Sequence, residues 1–205
     1  MKVVTWWTVA AAGACPMLLI GGFLTAAALQ PPSYNPLHDT ISELAWTGAA
    51  HPWMMTAALG ATGACCVITA VGLRPARGAG RLLLAVAGVA IMLVAVFRQP
   101  RDGYSLAHEV AVIVAAVASC AWPALAARRR QSAVLLTPAL GATASGICLG
   151  LAAWYALETH RALLGLAERC AAGAPAVWMF AVVITTWRAD RNQRRGDSCR
   201  GSIRT

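Results

Sequence analysis

The sequence predicts an all-α fold: a polytopic membrane protein folded as a six-transmembrane-helix bundle, with its N-terminus and C-terminus both cytoplasmic. Three observations predict it. The 205 residues are 59% hydrophobic and only 12% charged, with a mean hydropathy of +0.61, whereas a soluble domain carries about 25% charged residues. The apolar residues gather into six runs of helical length, and Lys and Arg concentrate on alternate connections between them. The net charge of +9 is spread over short loops and a tail. No basic face of a folded domain results, which excludes nucleic acid as a partner. The partner is the lipid bilayer.

The runs fall at residues 4–29, 50–73, 82–97, 106–127, 132–157 and 163–187, forming one transmembrane domain over 1–187. A basic cytoplasmic tail, 188–205, follows and is expected to be disordered. A helix needs about 20 residues to cross a hydrocarbon core of roughly 30 Å. The first run begins like a secretory signal, with Lys2 ahead of it and Ala12-Gly13-Ala14-Cys15 resembling a lipoprotein cleavage box. It continues to Leu29, beyond the usual signal core of about 7–15 residues, so a retained helix is expected.

Between the first two runs lies the polar stretch 34–55. Pro31, Pro32 and Pro36 forbid a helix in its first half, because each lacks an N–H and fixes φ. Thr40-Ile41-Ser42-Glu43 then reads as a capping box opening a short helix. His51-Pro52 opens the second span, with His51 expected in a capping place. The third run has only 16 residues between Arg81 and Arg98. Local thinning and snorkelling arginines let it span, a re-entrant segment being the alternative. Ser105 precedes the fourth span, where Glu109 suits the helix dipole.

In the fifth run Gly146-Ile147-Cys148-Leu149-Gly150 is a GxxxG, with Gly141 and Ser145 on a neighbouring row. Small residues let helices approach closely in lipid. The motif is expected to seat this helix within its own bundle, homodimerisation being the alternative. Pro123, Pro138 and Pro175 are expected to kink their spans. Of seven cysteines, five lie well inside spans, Cys170 lies near the outer end of the last, and none forms a CxxC, so neither a disulfide framework nor a thiolate metal site is expected.

Orientation follows from the basic residues. Lys2, the Arg74–Arg81 and Arg128–Arg130 connections and the tail hold most of them. Only Arg98, Arg101, Arg161 and Arg169 fall on the other side. This bias places both termini inside and the acid-rich connections at the extracytoplasmic face of a bacterial inner membrane. That face carries His38, His51, His108 and His160, together with Asp39, Glu43, Asp102, Glu109, Glu158 and Glu168.

Candidate catalytic residues come from this set: Asp39, Glu43, Asp102, His108, Glu168 and Arg169. Each also has a structural reading. Glu43 completes the capping box, Asp102 pairs in a loop with Arg98 or Arg101, and His108 with Glu109 heads an apolar span. Glu158 and Arg161 form an exposed i,i+3 pair beside His160. Glu168-Arg169 sits about a turn inside the last span, where charge is costly and faces a partner or a cavity. Asp39, His108 and Glu168-Arg169 share one membrane depth, which predicts that they converge around one outer cavity, with Arg169 neutralising a carboxylate there.

The run Tyr34-Asn35-Pro36 through Asp39-Thr40-Ile41-Ser42-Glu43-Leu44 resembles the signature loop of bacterial integral-membrane proteins known as domain of unknown function 998. His51-Pro52-Trp53-Met54 fits as well, as do Asp102 with Ser105 and His108, and Gly165-Leu166-Ala167-Glu168-Arg169 before a span containing Trp178. The chain departs from the pattern at Arg98-Gln99-Pro100-Arg101, where relatives tend to have a plainer Phe-Pro-Asp-like turn. The resemblance implies a compact six-helix bundle and no agreed activity.

Three functional classes follow. The first is a small membrane enzyme acting on a lipid or prenyl-type (terpenoid) substrate, with the carboxylates and His108 as general acid and base. A metal version would use His38, His51, His108 and Asp39, but lacks HxxxH-type spacing. The residues point to no particular cofactor. The second class is a non-catalytic partner subunit or envelope factor. The third is a carrier, which would want an internal repeat and mid-membrane charges.

Overall fold

The computed structural model describes residues 4–100, 105–128, 134–158 and 162–202, with side chains to residue 194. The described residues form seven α-helices and no strand: α1 Trp6–Ala28, α2 Ile41–Leu44, α3 Pro52–Gly72, α4 Gly78–Val96, α5 Leu106–Ala126, α6 Pro138–Leu157 and α7 Leu164–Ser202. A 3-10 turn, Val134–Leu136, precedes α6. All but α2 are long and apolar enough to cross a membrane. Each spanning helix packs on its chain neighbours, and α7 closes back on α1, so the six form a ring. Short connections make such neighbours antiparallel.

The bundle therefore has two distinct ends. At one, the Val4 N–H donates to Asp190 Oδ2 (3.1 Å), the Arg77 N–H to the Ala126 carbonyl (3.0 Å) and the Arg128 N–H to the Leu136 carbonyl (2.7 Å). The start of α1, the distal part of α7 and the arginine-bearing connections meet there. The opposite end carries the long connection between α1 and α3, with α2 resting on α1, α3 and α7.

Small residues set the helix spacing. A Cβ on Gly63 would strike the Gly88 carbonyl oxygen, and one on Gly88 the Gly63 oxygen, so α3 and α4 touch backbone to backbone. Leu19, Met55, Trp122, Met179 and Val182 fill the interior. Dispersion between close-packed atoms holds such a core, because lipid is as apolar as the side chains.

Several expectations shift. The short third run gains length at its start, since α4 has 19 residues and begins before Arg81. It is a continuous helix, not a re-entrant segment. Arg81 turns back to donate to the Ala70 (2.7 Å) and Val71 (2.8 Å) carbonyls at the end of α3. There it serves carbonyls left open by the helix terminus. The fifth span starts later than residue 132: Pro138 opens α6 in its first turn, where a missing N–H costs nothing. Pro123 and Pro175 do lie inside helices.

The GxxxG expectation is corrected. Gly146 and Gly150 are exposed and meet nothing within 4 Å, whereas Gly141, Ala144, Ser145 and Cys148 face the bundle. Ser145 Oγ accepts from the Ala124 N–H of α5 (3.1 Å). The neighbouring row seats α6, because the GxxxG spacing selects a face of the helix without selecting which face turns inward. At the far end, where disorder is expected from residue 188, α7 continues as helix to Ser202. At about 1.5 Å per residue its 39 residues run about 58 Å, well beyond a membrane core.

Candidate functional site

The site is built on the connection between α1 and α3. Gln30, just past α1, clasps its two ends: the side-chain amide donates to the Ala50 carbonyl (2.9 Å) and accepts from the Ala50 N–H (3.0 Å). Within the loop, Asp39 Oδ2 accepts from the Asn35 N–H (2.7 Å), and Asn35 Oδ1 from the Leu37 N–H (3.0 Å), so short polar side chains close the turn. The predicted capping box is present. Thr40 Oγ accepts from the Glu43 N–H (3.2 Å) and Glu43 Oε2 from the Thr40 N–H (2.8 Å). His51 takes the N-cap position of α3 with φ 56 and ψ 50, and its side chain makes no capping bond.

Arg169 of α7 clamps this loop. Its Nη1 donates to the carbonyls of Pro36 (2.7 Å), Asp39 (2.8 Å) and Gly165 (2.8 Å). Its Nη2 donates to Tyr34 Oη (2.5 Å), and the guanidinium lies 5.5 Å from the Phe23 ring centre. Tyr34 in turn donates toward the Thr40 carbonyl (3.3 Å). Burial pushes the Tyr34 phenol above its ordinary value, an effect that Arg169 partly offsets. The Leu166 N–H adds a bond to the Leu37 carbonyl (3.2 Å). The approach is close enough that a Cβ on Gly165 would strike the Asp39 and Pro36 carbonyl oxygens.

Beside the clamp, three side chains from three segments meet. Glu168 Oε2 accepts from the Ile41 N–H, and Oε1 lies 3.4 Å from Ser42 Oγ. The same Ser42 Oγ lies 3.3 Å from His108 Nε2. On the other side of the ring, His108 Nδ1 is 2.7 Å from the Phe97 carbonyl oxygen at the end of α4. A carbonyl only accepts, so the bond to Phe97 calls for the hydrogen on Nδ1, and in the neutral form of the ring the Nε2 lone pair then faces Ser42. Ser105 holds the backbone in place by accepting from the His108 N–H (3.3 Å).

The chemistry of the trio follows from hydrogen counting. Ser42 has one hydroxyl hydrogen and faces two groups able to accept it. One further proton, on Glu168 or on His108, would complete the Glu168–Ser42–His108 chain. The trio thus lines up a carboxyl, a hydroxyl and an imidazole within hydrogen-bonding reach of one another. Glu168 and Ser42 are half-buried, and His108 is buried.

The predicted residues therefore divide. Glu168 and His108 meet through Ser42. Asp39 reaches Arg169 through its carbonyl, while its carboxylate closes the Asn35 turn. Glu43 is engaged in the capping box. Arg169 binds carbonyls and a phenol where a carboxylate partner is predicted. Asp102, His160 and Arg161 lie outside the described residues. His38 and His51 are exposed, whereas His108 is buried. No three His, Cys, Asp or Glu side chains among the described residues gather as metal ligands. An apolar groove between α6 and α7, lined by Leu140, Ile147 and Trp178 among others, contains none of the predicted residues.

A family model described as "Protein of unknown function (DUF998)" matches residues 9–185. The chain belongs to that family. No curated protein and no solved structure matches it. The matched span of this DUF998 protein holds the whole loop, α2, His108 and Glu168-Arg169, and stops before the basic end of α7. Sequence reasoning missed Ser42 and Tyr34 as site residues, although both stand in the loop motif. Ser42 carried one usable signal: Thr40 and Glu43 complete the cap between them, so its hydroxyl has no capping task.

Proposed function

We propose that this DUF998 protein is a small membrane enzyme whose Glu168–Ser42–His108 chain performs acid/base chemistry on a lipid or prenyl-type substrate. We further propose that it sits in the bacterial inner membrane with both termini cytoplasmic and the site at the extracytoplasmic face. One observation carries the enzymatic reading: a carboxyl, a hydroxyl and an imidazole from α7, α2 and α5 run in hydrogen-bonding sequence, with the imidazole oriented by a backbone carbonyl. A packing role alone would not call for a basic nitrogen aimed at a hydroxyl. The position at the end of the bundle suits a substrate carried in the bilayer. The charge distribution supports the orientation, since Arg74, Arg77, Arg81, Arg128 and Arg188 gather at the end of the bundle where α1 begins.

Asp39, Glu43 and Arg169 then act by shaping the loop that carries Ser42. The test compares lipid extracts from cells making wild-type protein, Glu168→Gln or His108→Ala. A positioned proton donor or acceptor contributes about 10²–10⁴-fold to rate. Both variants should erase the lipid change produced by wild type while membrane abundance stays level. Glu43→Gln, which keeps the capping box, should retain it. Retention of the full lipid change by both Glu168→Gln and His108→Ala would end the enzymatic reading and leave a non-catalytic membrane role.

A further inference from the structure

We infer that Ser42 is a nucleophile and that the substrate is an acyl ester of a membrane lipid. The inference rests on the acid/base reading of the same trio and goes beyond it by assigning a covalent step. It begins with a hydroxyl free of structural duty. Thr40 and Glu43 cap α2 between them, and the Ser42 Oγ instead points to Glu168 and His108.

The His108 ring is set as a base for that hydroxyl. Its Nδ1 is committed to the Phe97 carbonyl, so Nε2, 3.3 Å from Oγ, is the nitrogen able to take the proton. The carbonyl fills the orienting position that a carboxylate holds in a Ser-His-Asp arrangement. Glu168 is fixed independently by the Ile41 N–H, on the same side as the hydroxyl.

The surroundings choose the substrate class. Phe97, whose carbonyl orients His108, is 41% exposed, and Leu106, two residues before His108, is 64% exposed. In a membrane that exposed surface is lipid. The site lies at the end of the spans, at the boundary between hydrocarbon and headgroups, where the ester carbonyls of acylated lipids reside. A prenyl chain presents no electrophilic carbonyl to a hydroxyl; an acyl ester does.

The step balances without a co-reactant other than water. Ser42 Oγ bonds to the acyl carbon as its proton passes to His108 Nε2. The ester C–O bond breaks, and the leaving alkoxide takes that proton. Water, deprotonated by the same nitrogen, then releases the fatty acid and restores the hydroxyl.

A long-chain alkyl fluorophosphonate tests this on the full chain in detergent micelles. The expected result is a single adduct mapped to Ser42 by mass spectrometry, absent in Ser42→Ala and formed about 100-fold more slowly in His108→Gln. Melting temperatures near wild type establish that the variants are folded. Should His108→Gln fail to fold, Ser42→Cys replaces it: beside His108 its thiol should react with an alkyl iodoacetamide faster than the native cysteines. Ordinary reactivity there overturns the inference. So does a folded wild-type protein that gains no adduct at Ser42, or His108→Gln labelled at the wild-type rate. If Glu168→Gln and His108→Ala erase the lipid change while Ser42→Ala keeps it, the nucleophile falls and the acid/base site stands. If all three keep it, both fall.

Discussion

Replacing Gly165 by Ala sets two effects of opposite sign against each other. Gly165 is the second residue of α7. In a helix, Ala is favoured over Gly by roughly 0.5–1 kcal/mol, so propensity alone predicts stabilisation. The structure predicts the reverse. The new Cβ would strike the carbonyl oxygens of Asp39 and Pro36, the two loop acceptors of Arg169. Backbone atoms cannot swing aside as a flexible side chain would, so the loop must lift from α7. Overpacking of this kind costs about 1–3 kcal/mol. Hydrogen bonds from a charged donor, worth about 1.5–3 kcal/mol each, weaken as the loop moves. Against the propensity gain, a net loss of about 2 kcal/mol is expected. For a chain of this length that corresponds to a fall of roughly 4–8 °C in melting temperature. Thermal unfolding in detergent measures it, with Gly146→Ala and Gly150→Ala as controls whose added Cβ meets nothing within 4 Å. The controls should melt at or slightly above wild type. If Gly165→Ala does the same, α7 does not clamp the loop as described.

Three further outcomes are expected. Burial raises the Tyr34 pKa, so its neutral form stabilises the docked loop fully below the unfolded value of about 10, and that contribution fades as pH rises through the higher folded value. The difference between ultraviolet titrations of wild type and Tyr34→Phe should show a phenol ionising later than the free amino acid; ordinary ionisation would contradict the buried position. Thr40→Ala should cost about 1 kcal/mol, or roughly 2–4 °C, because it strands the Glu43 N–H, and an unchanged melting temperature would show the cap to be idle. In a cysteine-free background, Asp39→Cys should react with an impermeant thiol reagent from outside intact cells and Arg129→Cys should not; the opposite pattern would reverse the proposed orientation.

The sequence alone determined the fold class, the presence of six long apolar helices, and the local structure of the polar loop. These are one-dimensional properties. Twenty apolar residues must form a helix in lipid because no water serves their backbone, and a capping box is closed between residues three apart. The family likeness was legible for the same reason, being carried by Tyr34–Leu44 and Gly165–Arg169 in linear order.

Only the tertiary structure decided what the polar residues do. Asp39, Glu43, Glu168 and Arg169 look alike on paper as charges near the end of a span. Their separation into loop-builders and the hydrogen-bonded Glu168–Ser42–His108 chain depends on contacts across more than a hundred residues, such as Ser42 to Glu168 and Asp39 to Arg169. The same holds for the glycines. Gly146 and Gly150 carry the recognisable spacing yet face outward, while Gly63, Gly88 and Gly165, which stand in no GxxxG spacing, mark where backbones touch. A helix in lipid has no polar face to show which side turns inward, and that choice is made by the shape of the neighbouring helices.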